Sequence, residues 1–172
     1  MDEFEYTYLA KTIPGDLHRA RSKEIFDIYL PKAARHPQLR IRKSGDTYEI
    51  TKKRTASGTD SSHLIEETIP LTTEEFNELA ALEGKRVHKI RYYYPHGGRT
   101  YEIDVFQDAL AGLVLVDVEF KTREEQLTFS PPDFCGTDIT QEEFIAGGMI
   151  CGKKYADIEG TLKKFGYGIL RA

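Results

Sequence analysis

The sequence predicts an α+β protein built on a mainly antiparallel barrel or strongly curved sheet. Three observations carry this reading. Strand-length segments with period-two alternation outnumber helical ones, and several adjoin across short turn sequences like hairpin partners. The few helical patterns come with their own capping residues.

Residues 3–9 alternate acid and aromatic, which is strand periodicity, and Pro14-Gly15 ends the run. Residues 16–23 are polar and basic. The run 24–30 (EIFDIYL) reads as a strand, with a short helix as the alternative. Pro31 and Pro37 bracket a loop. Residues 39–42 and 48–53 flank Ser44-Gly45-Asp46, a hairpin signal, and the small polar run 55–62 reads as a flexible loop before a strand over 63–69. Thr72-Thr73 ahead of EEFNELAALEG predicts a capped helix ending at glycine. Residues 87–94 and 101–106 pair across Pro95-His96-Gly97-Gly98. LVLVDVEF over 113–120 is the most apolar strand. A short helix over 121–129 has Thr122 near its cap, and PPDFCG is a loop. Thr140 caps a predicted helix over 140–146, with Glu142 and Glu143 in its first turn and Gly147-Gly148 ending it. An amphipathic helix over 156–165 precedes a glycine-rich tail.

The chain has 172 residues, with 24 Lys+Arg against 28 Asp+Glu, for a net charge of −4. This length predicts a single domain with a full hydrophobic core. Mild acidity argues against a general nucleic-acid coat, which carries a basic excess. No apolar run approaches the roughly 20 residues of a membrane helix. The acidic, aromatic N-terminus is unlike a signal or transit peptide, so the expected setting is cytoplasmic. Cys135 and Cys151 form no CxxC, which predicts a reduced pair rather than a zinc or redox motif. The five histidines show no H-x-x-x-H spacing, and no Walker loop, GxGxxG or GxSxG occurs.

The chemistry-bearing feature is charge at period two. Glu3-Phe4-Glu5, Arg40-Ile41-Arg42, Lys89-Ile90-Arg91, Glu102-Ile103-Asp104 and Asp117-Val118-Glu119 each put two charges on one sheet face and an apolar residue on the other. An amphipathic sheet with charge toward water satisfies the pattern. A second reading rests on the sorting of sign by strand. If helices cover the outside of a small barrel, the charged faces line its interior. Buried charges need partners, and basic pairs opposite acidic pairs suit a polyanion together with a divalent cation. Arginine and lysine hold phosphate oxygens. Paired carboxylates hold Mg²⁺ or Mn²⁺.

At these residues the sequence resembles the CYTH superfamily, the triphosphate tunnel metalloenzymes. LRIR, EGKRVHKIRYYY, YEIDVF and LAGLVLVDVEF carry the resemblance in the family's order, and 84–120 is the strongest stretch. It implies a closed eight-stranded antiparallel barrel forming a tunnel with helices packed outside. The tunnel core would span about residues 1–150, with a C-terminal helix and tail over 151–172. The family's E-x-E-x-K stands as Glu3-Phe4-Glu5-Tyr6-Thr7, so both glutamates inherit a metal-ligand role and Thr7 replaces the lysine. Arg40 and Arg42 match phosphate-binding arginines. Thr51-Lys52-Lys53 matches T-x-K, with Lys53 inward and Lys52 outward. Lys89 and Arg91 match K-x-R, Glu102 and Asp104 match E-x-D, and Asp117 and Glu119 match a late E-x-E.

The sequence also departs from the family. R-x-E-x-E falls on His63, Ile65 and Glu67, keeping its last member only. P-x-W-x-G stands as Pro132-Asp133-Phe134-Cys135-Gly136, and a closing aromatic–Asn pair is Phe144 and Ala146. The resemblance implies a metal-dependent triphosphatase acting on inorganic triphosphate or an organic triphosphate. Glu3, Glu5, Lys89 and Arg91 would be its catalytic residues. Arg40, Arg42, Lys53, Lys89 and Arg91 would bind the substrate, and Glu3, Glu5, Glu102, Asp104, Asp117 and Glu119 would ligate Mg²⁺ or Mn²⁺. One ion would bridge phosphates, and a second would lower the pKa of an attacking water. The alternatives are a class IV-type adenylyl cyclase, for which the sequence shows no base-recognition signature, and a non-catalytic polyphosphate or nucleotide-binding module. The tunnel reading requires Glu3, Glu5, Arg40, Arg42, Lys53, Lys89, Arg91, Glu102 and Glu119 to line one shared cavity.

Overall fold

A computed structural model of the chain describes residues 2–56 and 58–171. Its sheet runs in the order β5-β4-β3-β2-β6-β7-β8-β1-β9, and a β5–β1 pairing closes the first eight strands into an antiparallel barrel. The strands are β1 (Asp2–Ala10), β2 (Arg21–Leu30), β3 (Leu39–Ser44), β4 (Thr47–Thr55), β5 (His63–Leu71), β6 (Lys85–His96), β7 (Arg99–Phe106), β8 (Val114–Phe120) and β9 (Cys135–Asp138). The helices are α1 (Thr73–Ala80), α2 (Arg123–Leu127), α3 (Gly147–Ile150) and α4 (Tyr155–Lys164). None of them is long and apolar enough to cross a membrane.

Local sequence explains most of these elements. Two residues, Gly97 and Gly98, join β6 to β7 with φ of +55° and +76°. A two-residue turn needs both residues in the left-handed region to match the twist of its strands, and glycine enters it without steric cost. Thr72 caps α1 by accepting from the Glu75 backbone N–H, and the Glu75 carboxylate returns the bond to the Thr72 N–H. Thr122 caps α2 in the same way by accepting from Glu125 N.

The barrel buries two apolar layers. Tyr8, Ile103, Val105, Val116, Val118 and Phe120 form part of an outer cluster with Phe134. Inside, Val87, Phe106 and Leu115 meet Ile139, Ile145 and Ile150 in a second cluster that also takes in Tyr155, Ile158 and Leu162 of α4. One end of the barrel interior is therefore floored with hydrocarbon. α1 lies against β3, β4 and β5, and α2 against β1 and β8.

The closing seam is short. β1 pairs with β5 only from Asp2↔Ile65 to Phe4↔His63. Beyond it, Glu5 N donates to Ser62 O at 3.2 Å. The Gln126 side chain, 1% exposed, donates to both Glu5 O and Ser62 O at 3.0 and 2.9 Å. Asp60 accepts from Ser62 N, Ser62 Oγ and Gln141 Nε2, and these bonds to Ser62 hold its carboxyl down at about 2. Side chains from α2 and two loops thus continue the seam where strand pairing stops.

Two predicted elements differ. The PPDFCG loop runs into β9, whose Cys135 and Asp138 pair with Ala10 and Tyr8 of β1. The predicted helix over 140–146 does not form. Thr140 Oγ1 accepts from Thr7 N at 3.0 Å and donates to Asp138 at 2.6 Å. Ile139 N donates to Thr7 O at 2.9 Å. Tertiary bonds to β1 thus take the groups that would have started the helix, and only a 3₁₀ turn remains at Glu143–Ile145. Gly147-Gly148 then starts α3 instead of ending a helix.

The reason for glycine there is space. A Cβ on Gly148 would lie 2.3 Å from Pro37 O, and one on Gly147 would lie 2.1 Å from the Tyr29 hydroxyl. Gly148→Ala is therefore expected to lower unfolding free energy by about 2 kcal/mol in urea titrations. Gly160→Ala, at an exposed position of α4 with nothing within 4 Å of the new Cβ, is expected to raise it by about 0.5–1 kcal/mol.

Candidate active site

The barrel interior holds a cavity of about 400 Å³. Glu3, Glu5, Arg40, Arg42, Lys53, Lys89, Arg91, Glu102, Asp104, Asp117 and Glu119 all line it. Antiparallel register brings them together: Glu5 lies opposite Glu119, Arg91 opposite Asp104, and Glu102 opposite Asp117. Each strand contributes alternate residues to the interior, so pairs two apart in sequence arrive on the same wall. Lys53 faces inward and Lys52 is exposed.

The deepest charges form one knot. Asp104, 1% exposed, accepts from Arg91 Nε at 2.7 Å and Arg91 Nη2 at 2.7 Å, and also pairs with Lys89. Arg91 bonds Glu102 as well, and its Nη2 lies 3.3 Å from Asp117. Burial alone would raise the Asp104 carboxyl, but Arg91 and Lys89 hold it well below the carboxylate range. Burial and the neighbouring Arg91 and Arg42 push Lys89 down against the pull of Asp104. Arg91 stays firmly charged because Asp104, Glu102 and Asp117 together outweigh its burial.

A second ion pair escaped the sequence reading. Asp27, 2% exposed, takes Arg42 in a two-bond fork, Nε to Oδ1 at 2.7 Å and Nη2 to Oδ2 at 2.8 Å. Burial opposes the Asp27 charge, but Arg42 and then Arg40 hold its carboxyl at about 2. The signal in the sequence was a lone acid within the apolar run EIFDIYL. Arg40 is left differently. Its nearest carboxylates lie 4.0 Å (Asp27) and 3.9 Å (Glu66) away, and its buried Nε has no hydrogen-bond acceptor among the described residues.

The six predicted metal ligands divide. Among the described residues, Glu3, Glu5 and Glu119 alone form a group of three whose oxygens lie within 4.8 Å of one another. Such hard oxygen donors suit Mg²⁺ or Mn²⁺. The Lys53 ammonium sits on two of these carboxylates, 2.7 Å from Glu3 Oε2 and 2.9 Å from Glu5 Oε1, so the group already holds a cation. Burial together with Glu102, Glu3 and Glu5 raises the Glu119 carboxyl to about 7. Glu102, Asp104 and Asp117 lie outside the group, bonded to Lys89, Arg91 and Thr7. Thr7, standing in the lysine position of the motif, donates to Asp117 Oδ1 at 2.7 Å. Burial, Asp104 and Glu5 push the Asp117 carboxyl up.

The β5 register corrects one expectation. Leu64 and Glu66 line the cavity, whereas Glu67 is exposed on the outer face. Pairing Lys53↔Glu66 fixes this parity. The run HLIEET carries two adjacent glutamates, so the sequence alone fits either register. His36, Glu142 and Glu143 also reach the cavity wall, joined by a His36–Glu143 contact of 3.3 Å. Among the described residues, lining carboxylates outnumber lining Lys and Arg side chains eleven to six, an acid surplus that a polyanion alone would aggravate.

No family model matches the chain. It is 34% identical over 146 residues to an inorganic triphosphatase of Nitrosomonas europaea, covering 83% of this chain and 92% of that one. An inorganic triphosphatase of Acetivibrio thermocellus is 29% identical over 134 residues, covering 74% and 81%. The crystal structure of an inorganic triphosphatase superposes with a TM-score of 0.63 at 27% identity, covering 88% of this chain and 95% of that one. A Pyrococcus horikoshii protein shares the fold, with a TM-score of 0.52 at 16% identity over 96% of this chain and 91% of that one.

The Asp27–Arg42 fork predicts a pH signature. A carboxyl depressed by folding adds stability that is full above its unfolded value near 3.8 and lost as pH falls through about 2. Asp27→Asn leaves Arg42 buried without a counter-charge and is expected to cost about 3 kcal/mol at pH 7. Urea titrations across pH should show wild type and variant converging as pH drops from 4 toward 2.

Proposed function

Since this chain belongs to the CYTH superfamily of triphosphate tunnel metalloenzymes, we propose that it hydrolyses inorganic triphosphate or an organic triphosphate in the barrel cavity. One observation carries this reading: two basic strands and three converging carboxylates face the same 400 Å³ space. Named relatives support the substrate class, since two curated proteins that match most of the chain are inorganic triphosphatases.

Arg40 is the first phosphate anchor, because it lines the cavity and its guanidinium keeps a donor without a partner among the described residues. Arg42 is held rigid by Asp27, so it presents its remaining N–H donors without an ordering cost. Lys89 and Arg91 line the deep wall and Lys53 the wall beside the carboxylates. Together these five fix a linear polyanion in one orientation, and catalysis is positioning and charge stabilisation without a covalent protein intermediate.

Glu3, Glu5 and Glu119 are the residues that would hold Mg²⁺ or Mn²⁺. Such an ion supplies positive charge to phosphate oxygens that the acid-rich wall would otherwise repel. Asp104 and Asp117 serve instead as fixed counter-charges that keep Lys89, Arg91 and Thr7 in place. The hydrocarbon floor of Val87, Phe106 and Leu115 offers no polar partner to a further phosphate. A cytoplasmic setting accords with the two free, buried cysteines.

Phosphate release from inorganic triphosphate tests the reading. Release is expected with Mg²⁺ or Mn²⁺ and not in chelator, and Glu5→Ala should lower kcat by about a hundredfold or more. Arg40→Ala should raise KM by about tenfold with a smaller change in kcat, since it removes a binding contact. No release from any triphosphate by folded wild type would overturn the proposal.

A further inference from the structure

We propose that Lys53 is an internal counter-cation that a divalent ion must displace, so that one side chain couples metal binding to triphosphate binding. The inference rests on the triphosphatase reading and deepens it. Lys53 Nζ lies 2.7 Å from Glu3 Oε2 and 2.9 Å from Glu5 Oε1. Both carboxylates belong to the trio with Glu119. An ammonium and a divalent ion therefore claim the same oxygens. A hard cation sits about 2.0–2.6 Å from its oxygen ligands, which would put it against Nζ, between the half-buried Glu3 and Glu5 and the exposed Glu119. Like charges at contact distance repel, and the oxygens that one holds are taken from the other. The two cations exclude each other.

The exchange has a way out. Lys53 is a point charge on a flexible four-carbon stem, unlike the forked Arg42 and Arg91. Its donors can turn from the carboxylates to a phosphate oxygen in the same cavity. Without a phosphate, expelling Lys53 separates it from two carboxylates in a cavity whose wall also carries Arg40 and Arg54. With one, the displaced ammonium regains an anionic partner. Metal binding is thus weak alone and stronger with triphosphate, and by linkage the substrate gains equally from the metal.

This separates Lys53 from the other four basic residues. Arg42, Lys89 and Arg91 are paired with Asp27 or Asp104, outside the trio, and the carboxylates nearest Arg40, Asp27 and Glu66, lie outside it as well. Only Lys53 among them touches the trio through the bonds described. Removing its charge should therefore help the metal while harming the substrate.

Mn²⁺ titration of substrate-free protein, read by the electron paramagnetic resonance of the free ion, tests this directly. Lys53→Met should tighten Mn²⁺ binding by about tenfold or more, whereas Lys53→Arg, which keeps the charge, should stay within about threefold of wild type. Unchanged or weaker Mn²⁺ binding in folded Lys53→Met would overturn the proposal, even where the wild-type protein releases phosphate from triphosphate. If wild type releases no phosphate and Glu5→Ala binds Mn²⁺ as wild type does, the triphosphatase reading itself has failed, and this one with it. A measurement on wild type alone guards against a variant that does not fold. In ¹⁵N-lysine-labelled protein, the Lys53 Nζ resonance should shift on addition of Mg²⁺ without substrate, and a resonance that stays put would overturn the exchange.

Discussion

Asp104 sits at the centre of the barrel with almost no exposure, and both Lys89 and Arg91 bond to it. A buried carboxylate of this kind is tolerable only with cations bonded to it, and a buried arginine only with carboxylates in reach. This mutual requirement organises the interior. Arg91 needs Glu102 and Asp117 as well as Asp104, and Asp117 takes in addition the hydroxyl of Thr7. Asp27 on β2 does the same for Arg42 on the neighbouring β3. The result is a lattice of ion pairs in which Arg42, Lys89 and Arg91 are fixed before any ligand arrives.

Such a lattice is weak as a source of stability, because desolvation offsets most of the attraction between buried charges. The fold must be held elsewhere, and the two apolar layers do it. The outer cluster around Ile103, Val116 and Val118 uses the residues between the charged pairs. The floor cluster fills one end of the interior and ties in α4. One strand such as β7 thereby serves both purposes. Tyr101, Ile103 and Val105 belong to the outer layer, while Glu102 and Asp104 face the cavity. Period-two geometry keeps the two functions on opposite faces of the same five residues.

That period is why so much was legible in the sequence. Charge, apolar, charge over five strands defines which side chains share a surface, and resemblance to a tunnel family turns that surface inward. The eleven expected site residues do line one cavity. What stayed hidden lacks that signal. Asp27 is one acid in an apolar strand, readable in hindsight but not paired at period two. Glu66 and Glu67 are adjacent, so parity on β5 depended on pairing with β4 rather than on pattern. The segment 139–148 carried a helix cap and early carboxylates. Bonds from Thr140 and Ile139 to Thr7 nevertheless override that local preference.

The same bonds show why the end of β1 matters beyond its glutamates. Thr7 uses its backbone to hold the 139–140 segment and its hydroxyl to hold Asp117. A lysine at this position would bring a further cation to Asp117, which already shares Arg91 with Asp104 and Glu102. Threonine leaves Asp117 with one neutral donor and a share of Arg91, in the neighbourhood of Glu5. The cavity consequently keeps more unneutralised acid than the family motif would give it. Among the described residues Lys53 is the one cation placed against Glu3 and Glu5, so in this chain a single mobile ammonium balances the acidic end of the cavity. Replacing lysine by threonine on β1 therefore shifts weight onto the lysine of β4. The departure from the motif and the position of Lys53 are two sides of one charge balance.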